Sequence, residues 1–162
     1  MNAVAPSVGE LNCPMPVMDC TESATAAFTV FVRHKMPLFT DETVVRKFEG
    51  ILLSDAEKSH CEAPVYLFMP YRCHLLLQGK GGQANLVRTI RSFRIGAGYW
   101  LSRVRCDAEW HENHDGSNHT MQEEILKYAR HILITPVRMG LVANWKQYRY
   151  KGSTLYDLET WL

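Results

Sequence analysis

No Cys-x-x-Cys pair occurs among the five cysteines, Cys13, Cys20, Cys61, Cys73 and Cys106. Their scatter and odd number argue against a disulfide framework, so a reducing, cytoplasmic setting is expected. Basic residues are missing from the opening MNAVAPSVGELNCPMPVMDC, whose apolar residues are interrupted by Pro6, Pro14 and Pro16. That stretch reads neither as a signal peptide nor as a membrane span, and residues 1 to about 25 are taken as a flexible lead-in. Repeats and low-complexity tracts are absent as well. With 162 residues, 46% of them hydrophobic, the chain can bury one ordinary core, which points to one domain and one site.

A more informative absence is that of acids. Between Ala63 and Cys106 there is no Asp or Glu, while Arg72, Lys80, Arg88, Arg91, Arg94, Arg103 and Arg105 bring seven positive charges. Between Ile125 and Tyr156 there is again none, and Lys127, Arg130, Arg138, Lys146, Arg149 and Lys151 bring six. The net charge is only +1, yet thirteen of the eighteen basic residues lie in these two stretches. Such asymmetry suits a face that binds a polyanion such as nucleic acid. Solvated faces balanced by acids folded beside them are the alternative.

What is present organises as alternating elements. AAFTVFVRH (26–34) is β-branched and aromatic and fits a strand. Thr40 or Asp41 can cap a helix from Glu42 to about Ser59, where Val44, Val45, Phe48, Ile51, Leu52 and Ala56 recur at helical spacing. Val65 to Met69 and Cys73 to Gln78 read as two strands joined by a bend at Pro70 and Tyr71. Asn85 can cap a helix with Leu86, Val87, Ile90 and Phe93 on one side and Arg88, Arg91 and Arg94 on another. A polar, His-rich segment follows and is read as a loop. Glu123 to Leu133 is a further helix, closed before Pro136. The order fits an α+β fold with a ferredoxin-like antiparallel sheet and helices packed on one face.

Several motifs, taken in order, resemble a family. VYLFMPYRCHLLLQG is similar to the apolar strand, Met-Pro, His-x-His, apolar strand signature of the HUH transposases of the single-tyrosine, REP-associated kind. RHKMPLF sits where that family has a basic turn. IRSFRIGAGYWL and WHENHDGSN resemble its middle segment, and YARHILITPVRMGLVANWKQYRYKGS its Tyr-Ile-x-x-Asn-Pro-Val-x-x-Gly-Leu-Val end. The resemblance covers residues 26–154, leaving 155–162 as a C-terminal tail.

The resemblance implies a protein that binds hairpin or single-stranded DNA, holds one divalent metal (Mg²⁺ or Mn²⁺) through two histidines and attacks a phosphodiester with a tyrosine. Relatives of this kind occur as monomers and as dimers, so a homodimer stays open; no membrane partner is implied. On this sequence the first metal histidine falls at Arg72, the second at His74, the tyrosine at His131 and the following Asn at Thr135. Arginine cannot ligate a metal, having no free lone pair, but it can grip a phosphate through two parallel bonds. Tyr128, one helical turn before His131, is the candidate substitute nucleophile. His111, His114, Asp115 and His119 are the densest ligand-type cluster, and His114 and Asp115 could join His74 around a metal; a polar loop that merely contains histidines is the other account. Arg72, Arg88, Arg91, Arg94 and Arg138 are the expected DNA contacts, with Tyr99 and Trp100 near enough to stack on an unpaired base. Three functions follow: a transposase-like DNA-binding domain that has lost cleavage, an active nicking enzyme with a rearranged site, or a metal- or anion-binding protein that never meets DNA.

Overall fold

The computed structural model describes residues 25–118 and 122–162, the side chains of 113–118 and 122–124 excepted. The expected lead-in lies outside the described residues but for Thr25, which already belongs to the first strand. Strand β1 runs Thr25–Val32, and helix α1, Glu42–Lys58, starts at Asp41, whose carboxylate accepts from the Thr43 amide at 2.9 Å. Capping thus falls to Asp41; Thr40 instead donates its hydroxyl to the Pro37 carbonyl. Strands β2, Cys61–Met69, and β3, Arg72–Gly79, are joined by Pro70 and Tyr71. Asn85 caps helix α2, Leu86–Val104, through the Arg88 amide at 2.9 Å. Strand β4 is Trp110–Asn118, helix α3 Gln122–Leu133, helix α4 Thr135–Arg138, strand β5 Lys151–Gly152 and helix α5 Leu158–Trp161.

These strands form one antiparallel sheet in the order β4-β1-β3-β2-β5. The β-α-β-β-α-β succession and the 4-1-3-2 order of its first four strands are those of the expected ferredoxin-like fold. One reading is corrected. WHENHDGSN, expected to be a polar loop, is the edge strand β4, paired with β1 from Ala26↔Asn118 to Val30↔His114. An edge strand needs a ladder on one side only and tolerates polar residues, so it carries no apolar alternation to announce it.

Because side chains alternate along a strand, the sheet feeds two cores. Phe28, Val30, Val32, Phe68, Cys73, Leu75 and Leu77 face α1 and α2 and join Phe48, Leu52, Ile90, Phe93 and Leu101. Edge-to-face aromatic contacts tie that layer together: Phe48 lies 5.2 Å from Phe39 and 6.1 Å from Phe93, ring centre to ring centre. The opposite face is covered as well. Val65, Leu67, Met69 and Leu76 pack against Ile125, Ala129, Ile132 and Leu133 of α3, and Leu158 joins them from the segment taken as a tail. So α1 and α2 share one face, as expected, and α3 takes the other.

The C-terminal segment completes the edge beside β2. Pro64 cannot donate to a ladder, and the register shifts between Glu62 and Val65, as at a bulge. Ala63 beside it exchanges bonds with Thr154, its amide donating to the hydroxyl at 2.8 Å and its carbonyl accepting from the Thr154 amide at 3.0 Å. Farther along, Phe68 donates to the Tyr150 carbonyl at 2.8 Å and accepts from the Tyr148 hydroxyl at 2.7 Å. Gly152 stands opposite Tyr66 in the register, and the Tyr66 ring lies over its backbone where a Cβ would project. That ring cannot swing away freely, being buried and donating its hydroxyl to Glu49 at 2.5 Å. Gly152→Ala is therefore expected to lower stability by about 1–3 kcal/mol through overpacking. Urea denaturation monitored by tryptophan fluorescence reads the difference, and an unchanged midpoint would mean the ring yields without cost.

Candidate nucleic-acid interface

The alternation of β3 decides where the polar residues point. Cys73, Leu75 and Leu77 enter the core under α1 and α2, so Arg72, His74 and Leu76 face the α3 side. There His74 is largely buried, and its Nδ1 lies 3.0 Å from the Thr29 hydroxyl on β1. Among the described residues its Nε2 is buried without a hydrogen-bond partner, and so is Nε of Arg72. Burial holds the His74 imidazole well below its ordinary value of 6.5, at about 4, and the proximity of Arg72 and then His131 acts in the same direction. Arg72 and His131, 59 positions apart in sequence, therefore both stand close enough to act electrostatically on His74.

His131 is exposed on the last turn of α3. Arg138 of α4 approaches its Nδ1 through Nη1 at 3.3 Å, and a guanidinium only donates, so Nδ1 accepts and the imidazole proton resides on Nε2. Tyr128 precedes it by one turn, with the ring centres 6.4 Å apart. Both line a groove of about 700 Å³ together with Lys127, Arg130, Arg138 and Trp145. Among the described residues no carboxylate side chain lines it. Trp145 is flanked by the ammonium groups of Lys146 and Lys151, 5.6 and 5.8 Å from its ring centre, which adds positive charge at the groove's margin. Trp145, Lys146 and Lys151 were not singled out by sequence; the acid-free stretch that contains them was the available signal.

The balancing acids sort the basic residues. Lys80, Arg105 and Arg149 pair with Glu62, Asp107 and Glu42. Among the described residues no carboxylate pairs with Arg72, Arg88, Arg91, Lys127, Arg130 or Arg138. Arg88, Arg91 and Arg94 do not stand with Arg72 and His131, for α2 lies on the other face of the sheet. Nor do the three share one role. A step of three residues turns about 300°, so the row drifts by about 60° each time. Arg88 and Arg91 are exposed, whereas Arg94 has reached the rim of the core, where it donates to the His111 carbonyl at 2.6 Å and its own carbonyl accepts from the Trp110 indole at 3.1 Å. Tyr99 is exposed, with the Arg103 guanidinium 5.7 Å from its ring centre, while Trp100 packs against the core beside Phe48.

Among the described residues, the metal implied by the resemblance meets a donor set that does not fit it. Arg72 has no lone pair to give, and His131 is engaged at Nδ1 by Arg138. Among the described residues no three ligating side chains gather. The side chains of His114 and Asp115, and all of His119, lie outside the described residues. The backbone register sets Asp115 opposite Thr29, which is itself opposite His74; two strand spacings, about 10 Å, separate the ends of that row. Among the described residues no helix is long and apolar enough to cross a membrane.

The His74 shift makes stability depend on pH. In the unfolded chain the ring titrates near 6.5, in the folded one near 4, so between those values the unfolded state binds the extra proton. Stability is retained above pH 6.5 and falls as the pH drops through the window, by about 2 kcal/mol at pH 4.5. Urea unfolding of the parent and of His74→Gln at pH 7 and 4.5 measures this contribution. The variant should lose about 2 kcal/mol less than the parent between the two pH values; equal losses would assign the acid sensitivity to other groups.

No family model matches the chain, and no curated protein matches it. Solved structures do. A REP-associated tyrosine transposase bound to a REP hairpin superposes with a TM-score of 0.68 at 15% identity, over 82% of this chain and 78% of its own. A candidate transposase from Deinococcus radiodurans R1 gives 0.51 at 15% identity, over 67% of this chain and 87% of its own. At such identity the likeness is one of fold: this chain has the fold of those two proteins.

Proposed function

We propose that this chain is a transposase-like protein that binds hairpin or single-stranded DNA and has lost tyrosine-mediated strand cleavage. One observation carries the reading. The positions matched from separate motifs, Arg72, His74 and His131, converge on one face of the sheet, beside a basic groove lined by no carboxylate side chain among the described residues. The neighbour of similar fold was solved with a DNA hairpin, and fold, convergence and charge point the same way.

The loss of cleavage follows from what stands at the converging positions. Transesterification needs an attacking hydroxyl and a cation that orients the phosphate. Here an imidazole occupies the attack position and a guanidinium the first ligand position. His131 can donate to a phosphate from Nε2, Arg130 and Arg138 can neutralise the backbone, and Trp145 offers an aromatic edge to the groove. Each of these acts binds or orients, and none breaks a bond. Tyr128 supports a second reading, an active enzyme with a displaced nucleophile, because it lines the same groove as His131. A misplacement of about 1 Å can cost about 10²-fold in rate, and one helical turn displaces the hydroxyl further than that.

Two outcomes test the proposal. Fluorescence anisotropy with a labelled hairpin oligonucleotide should give an affinity that falls with salt, and replacing Lys127, Arg130 and Arg138 by Ala should reduce the slope of log K against log[salt] by about two to three units. Arg88→Ala with Arg91→Ala serves as the matching variant on the other face, and a larger loss there would move the interface to α2. An affinity indifferent to salt would exclude a phosphate-tracking interface altogether.

On a denaturing gel with Mg²⁺ or Mn²⁺ the parent protein should leave a labelled oligonucleotide uncut and without an adduct. Arg72→His combined with His131→Tyr should restore metal-dependent nicking, and either change alone should restore little, because groups acting as one unit are not additive. Nicking by the parent that Tyr128→Phe abolishes would establish the second reading instead.

A further inference from the structure

We propose that Arg72 stands in for a metal ion, so that this site receives a phosphate group of single-stranded DNA directly and needs no divalent cation. The inference rests on the DNA-binding reading for its ligand and on the α3 face of the sheet for its geometry. Three nitrogen atoms carry it. Among the described residues Nε of Arg72 and Nε2 of His74 are buried and have no partner, and Nε2 of His131 carries that ring's proton because Arg138 occupies Nδ1. Buried polar groups in folded proteins are nearly always satisfied, so two unpartnered atoms on residues that share one face of β3 mark a place for something that accepts.

What fits there is an anion. Arg72 is always protonated and only donates, and no described carboxylate pairs with it. His74 joins it as a neutral ring. Where the Thr29 hydroxyl donates to Nδ1 at 3.0 Å, the His74 proton lies on Nε2 and faces the same acceptor. A tetrahedral phosphate offers several oxygens, enough for the guanidinium fork and an imidazole at once. A cation would find the reverse: one positive charge fixed in the site, a second at Arg138, and a single described imidazole to ligate it. The guanidinium supplies the charge that a metal would bring, but with its direction set by the strand.

The test uses the full chain labelled with ¹⁵N, inorganic phosphate as the first probe and a hairpin oligonucleotide as the second, both in EDTA. Phosphate should shift the Arg72 Nε–H resonance, and Mn²⁺ added without EDTA should leave the His74 ring signals unbroadened. Arg72→Lys keeps the charge but loses the fork and should weaken phosphate binding by about tenfold, with an unchanged amide spectrum elsewhere reporting an intact fold. Arg72→His should make the His74 signals sensitive to Mn²⁺. Phosphate that leaves Arg72 unmoved, or Mn²⁺ that broadens His74 in the parent, overturns the inference. The two readings fail separately: a shift with phosphate but no hairpin binding sinks the DNA reading and keeps the anion site, whereas hairpin binding abolished by EDTA keeps DNA and sinks the anion site.

Discussion

Strand β3 is the constraint on which both halves of the molecule depend. It lies in the middle of the sheet, paired to β1 on one side and β2 on the other, and its residues alternate between two separate cores. Cys73, Leu75 and Leu77 must enter the layer under α1 and α2, because a shift of one position would bury Arg72 and His74 there instead. The two-residue connection at Pro70 and Tyr71 sets the pairing of β3 with β2, so Met69 meets Arg72 and Leu67 meets His74. Once that pairing holds, a guanidinium and an imidazole are delivered to the α3 face at a spacing the helix cannot alter. The candidate site is thus a consequence of how the core is packed.

The same alternation separates two basic surfaces that look continuous in sequence. Arg72 and the α2 arginines belong to one acid-free stretch, yet the sheet stands between them. Helical phase separates the arginines further. Arg88 and Arg91 remain in solvent, while Arg94, displaced by about 120° from Arg88 over two steps of three, sits at the core's rim and is held by the His111 carbonyl. Charge composition led to the expectation of a polyanion-binding face; only the fold separates the exposed arginines from the one engaged in structure.

How much was legible follows from which elements announce themselves locally. The helices at 42–58 and 86–104 carry an apolar stripe and a capping residue, and β1 and β3 carry β-branched and apolar runs, so each could be read from its own residues. β4 could not, because its one-sided ladder demands no apolar pattern and WHENHDGSN has none. The first half of β2 was hidden by Pro64, which reads as a breaker until the Thr154 bonds to Ala63 are seen. Convergence of Arg72, His74 and His131 was implied by motif order and is realised only in three dimensions. The groove was less visible still, since Trp145 and Lys146 come from an irregular segment whose position depends on bonds to β2.

On the proposed reading, an arginine where the resemblance puts a metal ligand changes more than one donor. A metal ion binds phosphate with open coordination and exchanges its ligands as bonds form and break, which is what a reaction requires. A guanidinium holds charge of the same sign in a rigid plane, with its donors fixed before the ligand arrives. It can therefore favour the bound phosphate without following the change in geometry at phosphorus. His131 acts in the same direction, for its Nδ1 is taken by Arg138 and its Nε2 is left as a donor, so it is poorly placed to attack and well placed to bind. In the proposed reading both positions keep positive or donating character while strand cleavage is lost.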